Sequence, residues 1–241
     1  MPLLIGVGAF LSTMLGGTVA LRLRDRLHLI LGFSAGAVIA VAFFDLMPEA
    51  LQLGTQTHEI KTVVAFVALG FLLYLLLDRL LLLHSHGHAD DAEHDHSRGH
   101  VRAGSLSAHS FLDGVGIGLA FQVSSTVGFL VAAAVLAHDF SDGINTVNVV
   151  VRHGGKKAEA IRWLLIDAVA PVIGVAVTLL FRNSISESSL GLLLAMFAGF
   201  FLYIGASDLI PESHHVHPTF WTTFMTLLGA AVLFIAITIA G

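Results

Sequence analysis

The chain has 241 residues, of which 56% are hydrophobic and only 12% are charged, and its mean hydropathy is +0.85. A soluble domain carries about 25% charged residues. The excess of apolar side chains is too large for one soluble core, so a lipid bilayer is the expected partner. The absence of cysteine excludes disulfides and thiolate metal ligands. A net charge of −5 gives no indication of nucleic-acid binding.

Eight stretches are apolar and long enough to be membrane-spanning helices, which need about 20 residues each. The fourth stretch is the least hydrophobic of them. We therefore predict an all-α integral membrane protein with eight transmembrane helices, in which residues 1–241 form a single domain. In chain order the predicted helices cover residues 2–21, 29–51, 62–83, 105–121, 126–151, 158–181, 189–210 and 220–240.

Basic residues are distributed unequally between the connections. Of the 12 Lys and Arg residues, all but Lys61 and Arg182 flank the connections after predicted helices one, three and five. Cytoplasmic loops of membrane proteins are enriched in basic residues. We therefore predict a multi-pass inner-membrane protein with both termini outside. The basic residues on the predicted cytoplasmic side are Arg22, Arg24, Arg26, Arg79, Arg98, Arg102, Arg152, Lys156, Lys157 and Arg162.

A short motif occurs twice, as Asp-Leu-Met-Pro-Glu at residues 45–49 and as Asp-Leu-Ile-Pro-Glu at residues 208–212. Predicted helices two and seven, which end in these motifs, cross the membrane in opposite directions. The copies therefore indicate an inverted repeat, which is common in secondary transporters. We expect a 3+2+3 arrangement in which helices 1–3 and 6–8 are the repeats. The carboxylates expected along a cation path are Asp45, Glu49, Asp208 and Glu212.

Predicted helices four and five each carry the pattern His-x-Phe-x-Asp-Gly, at residues 109–114 and 138–143. Because residues i and i+4 lie on one face of a helix, each helix presents an imidazole beside a carboxylate. This mixture of nitrogen and oxygen ligands suits zinc and other first-row divalent metal ions. The candidate ligands are His109, Ser110, Asp113, His138, Asp139 and Asp142.

Acidic residues within these helices are costly to bury in lipid. One Asp at the bilayer centre costs roughly 2.5–3.5 kcal/mol on the insertion scale, and Asp167 in predicted helix six adds to the total. No Lys or Arg lies near the membrane centre to pair with them. A bound cation, protons or a water-filled path must therefore offset the cost. Asn145, further along helix five, either lines such a path or bonds to a neighbouring helix.

The connection at residues 84–104 is rich in histidine, with acidic residues interleaved. Tracts of this composition bind metal ions loosely and in many geometries. We expect a metal-binding loop on the cytoplasmic side, the alternative being a solvated linker with no such role. Its histidines are His84, His86, His88, His94, His96 and His100.

Taken together, these motifs resemble the ZIP family of metal-ion transporters over most of the chain. Residues 109–114 resemble the family signature His-Asn-x-x-Asp/Glu-Gly, and residues 45–49 resemble its helix-two ending. The resemblance implies a two-metal site lined by the six candidate ligands above. Asp167 would then be an acidic helix-six ligand of the second metal position.

The resemblance also implies a transporter rather than an enzyme, with no cofactor. Its expected activity is uptake of divalent cations into the cytoplasm by alternating access, through movement of the bundle bearing helices one, four, five and six. Zn²⁺ is the expected substrate, and Fe²⁺, Mn²⁺, Co²⁺ and Cd²⁺ remain open. Ser110 stands where the family usually has Asn, and Asp142 where Glu is common. These departures bear on ion preference and on use of a second site.

Two other functions fit some of the same residues. A cation diffusion facilitator also places His and Asp four residues apart on two helices, but that resemblance implies six helices, a soluble C-terminal domain and export. An intramembrane metallohydrolase needs three ligands, a water position and a general base, and the chain lacks His-Glu-x-x-His. Small-residue helix faces also make the chain a candidate homodimer.

Overall fold

A computed structural model describes residues 1–19, 27–83, 92–181, 185–215 and 220–240. Within these ranges all regular secondary structure is helical and forms eight continuous stretches, which confirms the predicted all-α class and helix number. Their bounds are α1 Pro2–Val19, α2 Leu27–Gly54, α3 Ile60–Leu83, α4 Ala92–Val123, α5 Ser125–Arg152, α6 Lys157–Phe181, α7 Glu187–His215 and α8 Phe220–Ala240.

Six of these helices, α2, α3, α5, α6, α7 and α8, are long and apolar enough to cross a membrane. The apolar part of α1, Pro2–Thr18, is slightly shorter. Helix α4 has 32 residues and is not among the six, because it carries the largest share of polar side chains. Its sequence-predicted counterpart was also the least hydrophobic stretch.

Helix α4 begins at Ala92, well before the start predicted at residue 105. The described part of the histidine-rich connection, residues 92–104, is therefore helical rather than a loop. Hydropathy marks only the portion of a helix that lies in lipid, whereas the backbone hydrogen bonds of α4 continue through its polar residues. Residues 84–91 of this connection lie outside the described ranges.

Helices α2 and α7 each contain a π-helical turn at the repeated Asp-x-x-Pro-Glu motif. The turns cover Ala42–Leu46 and Ile204–Leu209, and the helices continue beyond them as Met47–Gly54 and Ile210–His215. Proline lacks the N–H that an α-helix interior requires. A π-helical turn, which is common at functional sites, changes the hydrogen-bonding register just before the proline. Both helices therefore continue past the residues at which the sequence predicts that they end.

The helices pack as two bundles. In the first, which we call the site bundle, α1 packs against α5 and α6, and α4 packs against α5 and α6. In the second, the flanking bundle, α2 packs against α8 and α7, and α3 packs against α7. Contacts between the bundles are less extensive and involve mainly α5 with α2 and α4 with α3 and α7.

Glycines allow the closest helix crossings in the site bundle. A Cβ atom at Gly143 would lie 1.9 Å from the carbonyl oxygen of Thr13, and one at Gly114 would lie 2.1 Å from that of Pro171. These two glycines end the two His-x-Phe-x-Asp-Gly patterns. The pattern therefore fixes where α5 crosses α1 and where α4 crosses α6, as well as carrying its polar residues.

Substituting Gly143 by Ala should destabilise the protein because the new methyl group would overlap the backbone of α1. We expect overpacking of this kind to lower the melting temperature of the detergent-solubilised protein by about 5 °C or more. Gly8→Ala is the matched control, since it adds a methyl group to the same α1–α5 interface at 3.7 Å from Leu136 Cδ2. Equal melting temperatures for the two variants would contradict the assigned crossing.

Candidate metal centre

Four buried side chains converge where α4 packs against α5. They are His109 and Asp113 of α4 and His138 and Asp142 of α5, and one ligand atom from each lies within 4.8 Å of the other three. His109 Nε2 is 3.2 Å from Asp113 Oδ2 and 3.6 Å from Asp142 Oδ2. His138 Nε2 is 3.3 Å from Asp113 Oδ2 and 3.8 Å from Asp142 Oδ2. We call these four residues the central cluster.

The size of the central cluster fits a tetrahedral metal ion. Zinc binds nitrogen and oxygen ligands at about 2.0–2.1 Å in tetrahedral geometry, which places neighbouring ligand atoms about 3.3–3.4 Å apart. The four nitrogen–oxygen distances range from 3.2 to 3.8 Å. The distances to Asp113 Oδ2, at 3.2 and 3.3 Å, match this spacing, and those to Asp142 Oδ2, at 3.6 and 3.8 Å, exceed it.

Both imidazole rings have a hydrogen-bond partner on the side away from the cluster. His138 Nδ1 is 2.9 Å from the carbonyl oxygen of Ala134, and His109 Nδ1 is hydrogen-bonded to the phenol of Tyr74. When Nε2 of a neutral histidine binds a metal ion, Nδ1 carries the proton and donates to such a partner, which fixes the ring orientation. The two rings therefore present Nε2 to the cluster, as metal ligands require.

The negative charge of the cluster has no basic partner within the described part of the chain, where only histidines form ion pairs with its carboxylates. Asp113 and Asp142 are 0% and 3% exposed. Among the described residues, Asp113 Oδ1 and Asp142 Oδ2 also lack a hydrogen-bond partner. Burying unpaired acceptors and charges is costly. A cation in the cluster would offset the negative charge and contact the unpartnered Asp142 Oδ2.

A second buried polar group lies beside the central cluster and joins three helices. Ser110 of α4 donates a hydrogen bond of 2.7 Å to Asp167 Oδ1 of α6, and Thr146 of α5 donates one of 2.8 Å to Asp167 Oδ2. Asp139 is fully buried, and neither of its carboxylate oxygens has a hydrogen-bond partner in the part of the chain that the structure describes. Direct metal binding by Ser110, Asp139 and Asp167 stays a prediction.

A cavity of about 380 Å³ reaches the central cluster at Asp142, between walls formed by α3, α4, α5 and α7. Asn145, Asp208 and Glu212, which the sequence places on a cation path, line this cavity. Asp45 and Glu49 are not among its lining residues. They lie in α2, where Asp45 is 6% exposed and its Oδ2 has no hydrogen-bond partner among the residues described.

Several residues of the site were not identified from the sequence. Tyr74 of α3 is hydrogen-bonded to His109, and Asp78 of the same helix lines the cavity. Thr146 donates a hydrogen bond to Asp167. A weak signal existed, since Tyr74 and Asp78 are polar groups four residues apart in an otherwise apolar helix. That spacing alone does not reveal which neighbouring helix the two residues face.

The histidine-rich connection is only partly described. His84, His86 and His88 lie outside the described residues, as do the side chains of His94 and His96. His100 accepts a hydrogen bond of 2.9 Å from Trp163 Nε1 of α6 at its Nδ1. Metal binding by these histidines stays a prediction.

The long apolar helices define a membrane protein. They surround a buried cluster of two histidines and two aspartates, reached by a polar cavity, and this site is compatible with a divalent metal ion. The sequence model described as ZIP zinc transporter matches residues 101–237, more than half of the chain. The chain belongs to the ZIP family, as the sequence motifs predict. This is a family of transporters rather than of enzymes.

Individual relatives support this assignment. The zinc transporter ZupT of Enterobacter sp. (strain 638) is 25% identical over 246 residues, covering 97% of this chain and 93% of the relative. ZupT of Salmonella paratyphi A is 24% identical over 251 residues, covering 99% and 95%. The zinc transporter zipt-7.1 of Caenorhabditis briggsae is 24% identical over 245 residues, and the match spans 77% of this chain but only 62% of that longer relative.

Loss of a cluster histidine should abolish tight zinc binding by the purified protein. Mutating the hydrogen-bond partner of a metal ligand typically lowers the metal affinity 10–100-fold. His138→Ala removes a predicted ligand itself, so it should lower the zinc affinity by more than about 100-fold. Isothermal titration calorimetry in detergent would measure the change. Loose sites would be removed first by replacing five histidines of the histidine-rich connection with alanine in every variant, at His84, His86, His88, His94 and His96.

His58→Ala is the control for this measurement. His58 lies in the α2–α3 connection and is hydrogen-bonded to Ser188, away from the cluster. Its replacement should leave the zinc affinity unchanged. Tight binding that survives in His138→Ala would show that the central cluster is not the zinc site.

Proposed function

We propose that the protein carries divalent metal cations, principally Zn²⁺, across the membrane by alternating access through the central cluster. The observation that supports this most directly is the buried, unneutralised His₂Asp₂ arrangement at the end of a polar cavity. A resident structural metal would not require a path to the surface. The names of the relatives describe zinc transporters, which favours the same substrate.

The direction of transport is proposed from the charges around the cavity. Arg79, Arg102 and Arg152 contribute to its walls, and basic residues accumulate on the cytoplasmic side of membrane proteins. The cavity would therefore open to the cytoplasm, with Asp208 and Glu212 supplying negative charge along the exit. On this basis we propose uptake into the cytoplasm across an inner membrane, with both chain termini outside.

The helix packing supports the proposed inverted repeats of helices 1–3 and 6–8. In such a repeat, α1, α2 and α3 correspond to α6, α7 and α8, and α4 corresponds to α5. The contact of α2 with α8 is then equivalent to the contact of α7 with α3. Gly36 of α2 meets the backbone of α8 at Thr226, and Gly199 of α7 meets that of α3 at Val67. Each glycine lies nine residues before the aspartate of its repeated motif. Matched registers of this kind are expected when an inverted duplication forms one bundle.

Alternating access would then be a displacement of the site bundle against the flanking bundle. All four residues of the central cluster lie on α4 and α5, both in the site bundle. The site could therefore move as one body and exchange its exposed side. Transport by such a mechanism needs no cofactor, and the metal ion is the substrate.

The ligand set proposed for the transported ion is the central cluster itself. Two imidazole nitrogens and two carboxylate oxygens suit Zn²⁺, and they leave Fe²⁺, Mn²⁺, Co²⁺ and Cd²⁺ as further candidate substrates. Among the residues predicted for a second metal position, Asp139 has the strongest claim, because both of its buried oxygens lack hydrogen-bond partners within the described ranges. Ser110 and Asp167 already bond to each other. Homodimerisation remains a prediction.

Zinc flux into liposomes that contain only this protein tests the proposed function. Wild-type protein should carry Zn²⁺ down a concentration gradient, detected by an entrapped fluorescent zinc indicator. Asp142→Ala and His138→Ala should reduce the flux to that of empty liposomes because each removes a ligand, whereas His58→Ala should retain it. If both cluster variants transport zinc like wild type, the site is misassigned. In a separate measurement, a lowered zinc content of cells expressing the protein would indicate export.

The orientation can be tested with single cysteines, because the chain contains none of its own. Gln56 lies in the exposed α2–α3 connection and Lys156 in the exposed α5–α6 connection. A membrane-impermeant maleimide should label Gln56→Cys in intact cells and Lys156→Cys only after permeabilisation. The opposite labelling pattern would reverse the proposed direction of the cavity while leaving the site assignment intact.

A further inference from the structure

The two histidines of the central cluster are held in different ways. His138 Nδ1 bonds to the carbonyl oxygen of Ala134, one turn earlier in the same helix. His109 Nδ1 instead bonds to the phenol of Tyr74, which lies on α3 in the flanking bundle. One imidazole is therefore oriented by its own helix, and the other by a bundle that carries no residue of the cluster.

Tyr74 is firmly packed in the position from which it reaches His109. The Tyr74 side chain is 7% exposed, and its ring meets the His109 ring edge to face, with centroids 5.9 Å apart. On the other side, it packs against Tyr203 and Phe200 of α7, with centroid separations of 5.2 and 5.8 Å. The phenol is thus supported by two helices of the flanking bundle and directed towards the site bundle.

We propose that Tyr74 is a positioning residue for the transported metal ion, an inference that rests on the proposed function. Tyr74 holds His109 in its metal-binding orientation while the two bundles occupy the arrangement seen in this structure. Because the phenol and the imidazole belong to different bundles, a displacement of one bundle breaks their hydrogen bond. The affinity of the site for its metal ion therefore depends on the relative position of the two bundles, because that position determines how His109 is oriented.

A second hydrogen bond between the bundles provides a matched comparison. Ser34 of α2 is fully buried and donates a bond of 2.7 Å to the carbonyl oxygen of Ala137 in α5. This bond crosses the same boundary as that of Tyr74, but it reaches backbone rather than a ligand side chain. Removing it loosens the contact between the bundles without freeing an imidazole.

The role of Tyr74 can be tested by measuring zinc affinity with equilibrium dialysis. Every variant would also lack the five histidines of the histidine-rich connection named above. Tyr74→Phe keeps the ring and its aromatic packing and removes only the hydroxyl. We expect a loss of about tenfold in affinity, the usual cost of losing an outer partner of a metal ligand. Ser34→Ala should bind zinc as wild type does. Equal losses in both variants would assign the effect to general loosening of the bundles and overturn the proposal.

A double-mutant cycle distinguishes action through His109 from a structural effect of Tyr74. In the background of His109→Ala, titrated to higher zinc concentrations, Tyr74→Phe should cause no further loss. A full additional loss in that background, or wild-type affinity in Tyr74→Phe alone, would contradict the proposed role of Tyr74. If His109→Ala alone leaves zinc binding intact, the central cluster rather than Tyr74 is misassigned.

Discussion

In the residues that the structure describes, several carboxylates are buried without a Lys or Arg partner, and the whole protein is organised around them. Asp113, Asp139, Asp142 and Asp167 all lie on helices of the site bundle and are almost completely shielded from solvent. Hydroxyl groups satisfy Asp167, and histidines partly satisfy Asp113 and Asp142. Within the described part of the chain, the remaining carboxylate oxygens have no hydrogen-bond partner. A mobile cation is the species that can balance them, which makes an otherwise costly arrangement suitable for transport.

Close helix packing is the second requirement, since α4 and α5 must face each other at a short and defined distance. The glycine after each cluster aspartate allows α5 to lie against α1 and α4 against α6. These crossings set how each helix is rotated about its own axis, and hence where its histidine and aspartate point. The site and the packing that aligns it are therefore encoded in the same six-residue pattern.

Much of this was predictable from the sequence, because the relevant signals are local. Hydropathy gave the eight helices, and the i, i+4 spacing gave the four residues of the cluster. The polar start of α4 and the continuation of α7 past Pro211 were missed, since hydropathy does not report helix in polar segments or π-helical turns. Tyr74 and Thr146 were missed because their partners lie on other helices, and no spacing along one helix identifies such a contact.

The length of α4 has a mechanical consequence. At 1.5 Å per residue, a helix of 32 residues is about 48 Å long, whereas the hydrocarbon core of a bilayer is about 30 Å thick. The polar segment that begins at Ala92 and the cluster residue His109 therefore belong to one continuous helix that is longer than the hydrocarbon is thick. If the histidines at the protruding end bound an ion and the segment shifted, the continuous helix would transmit that shift directly to His109.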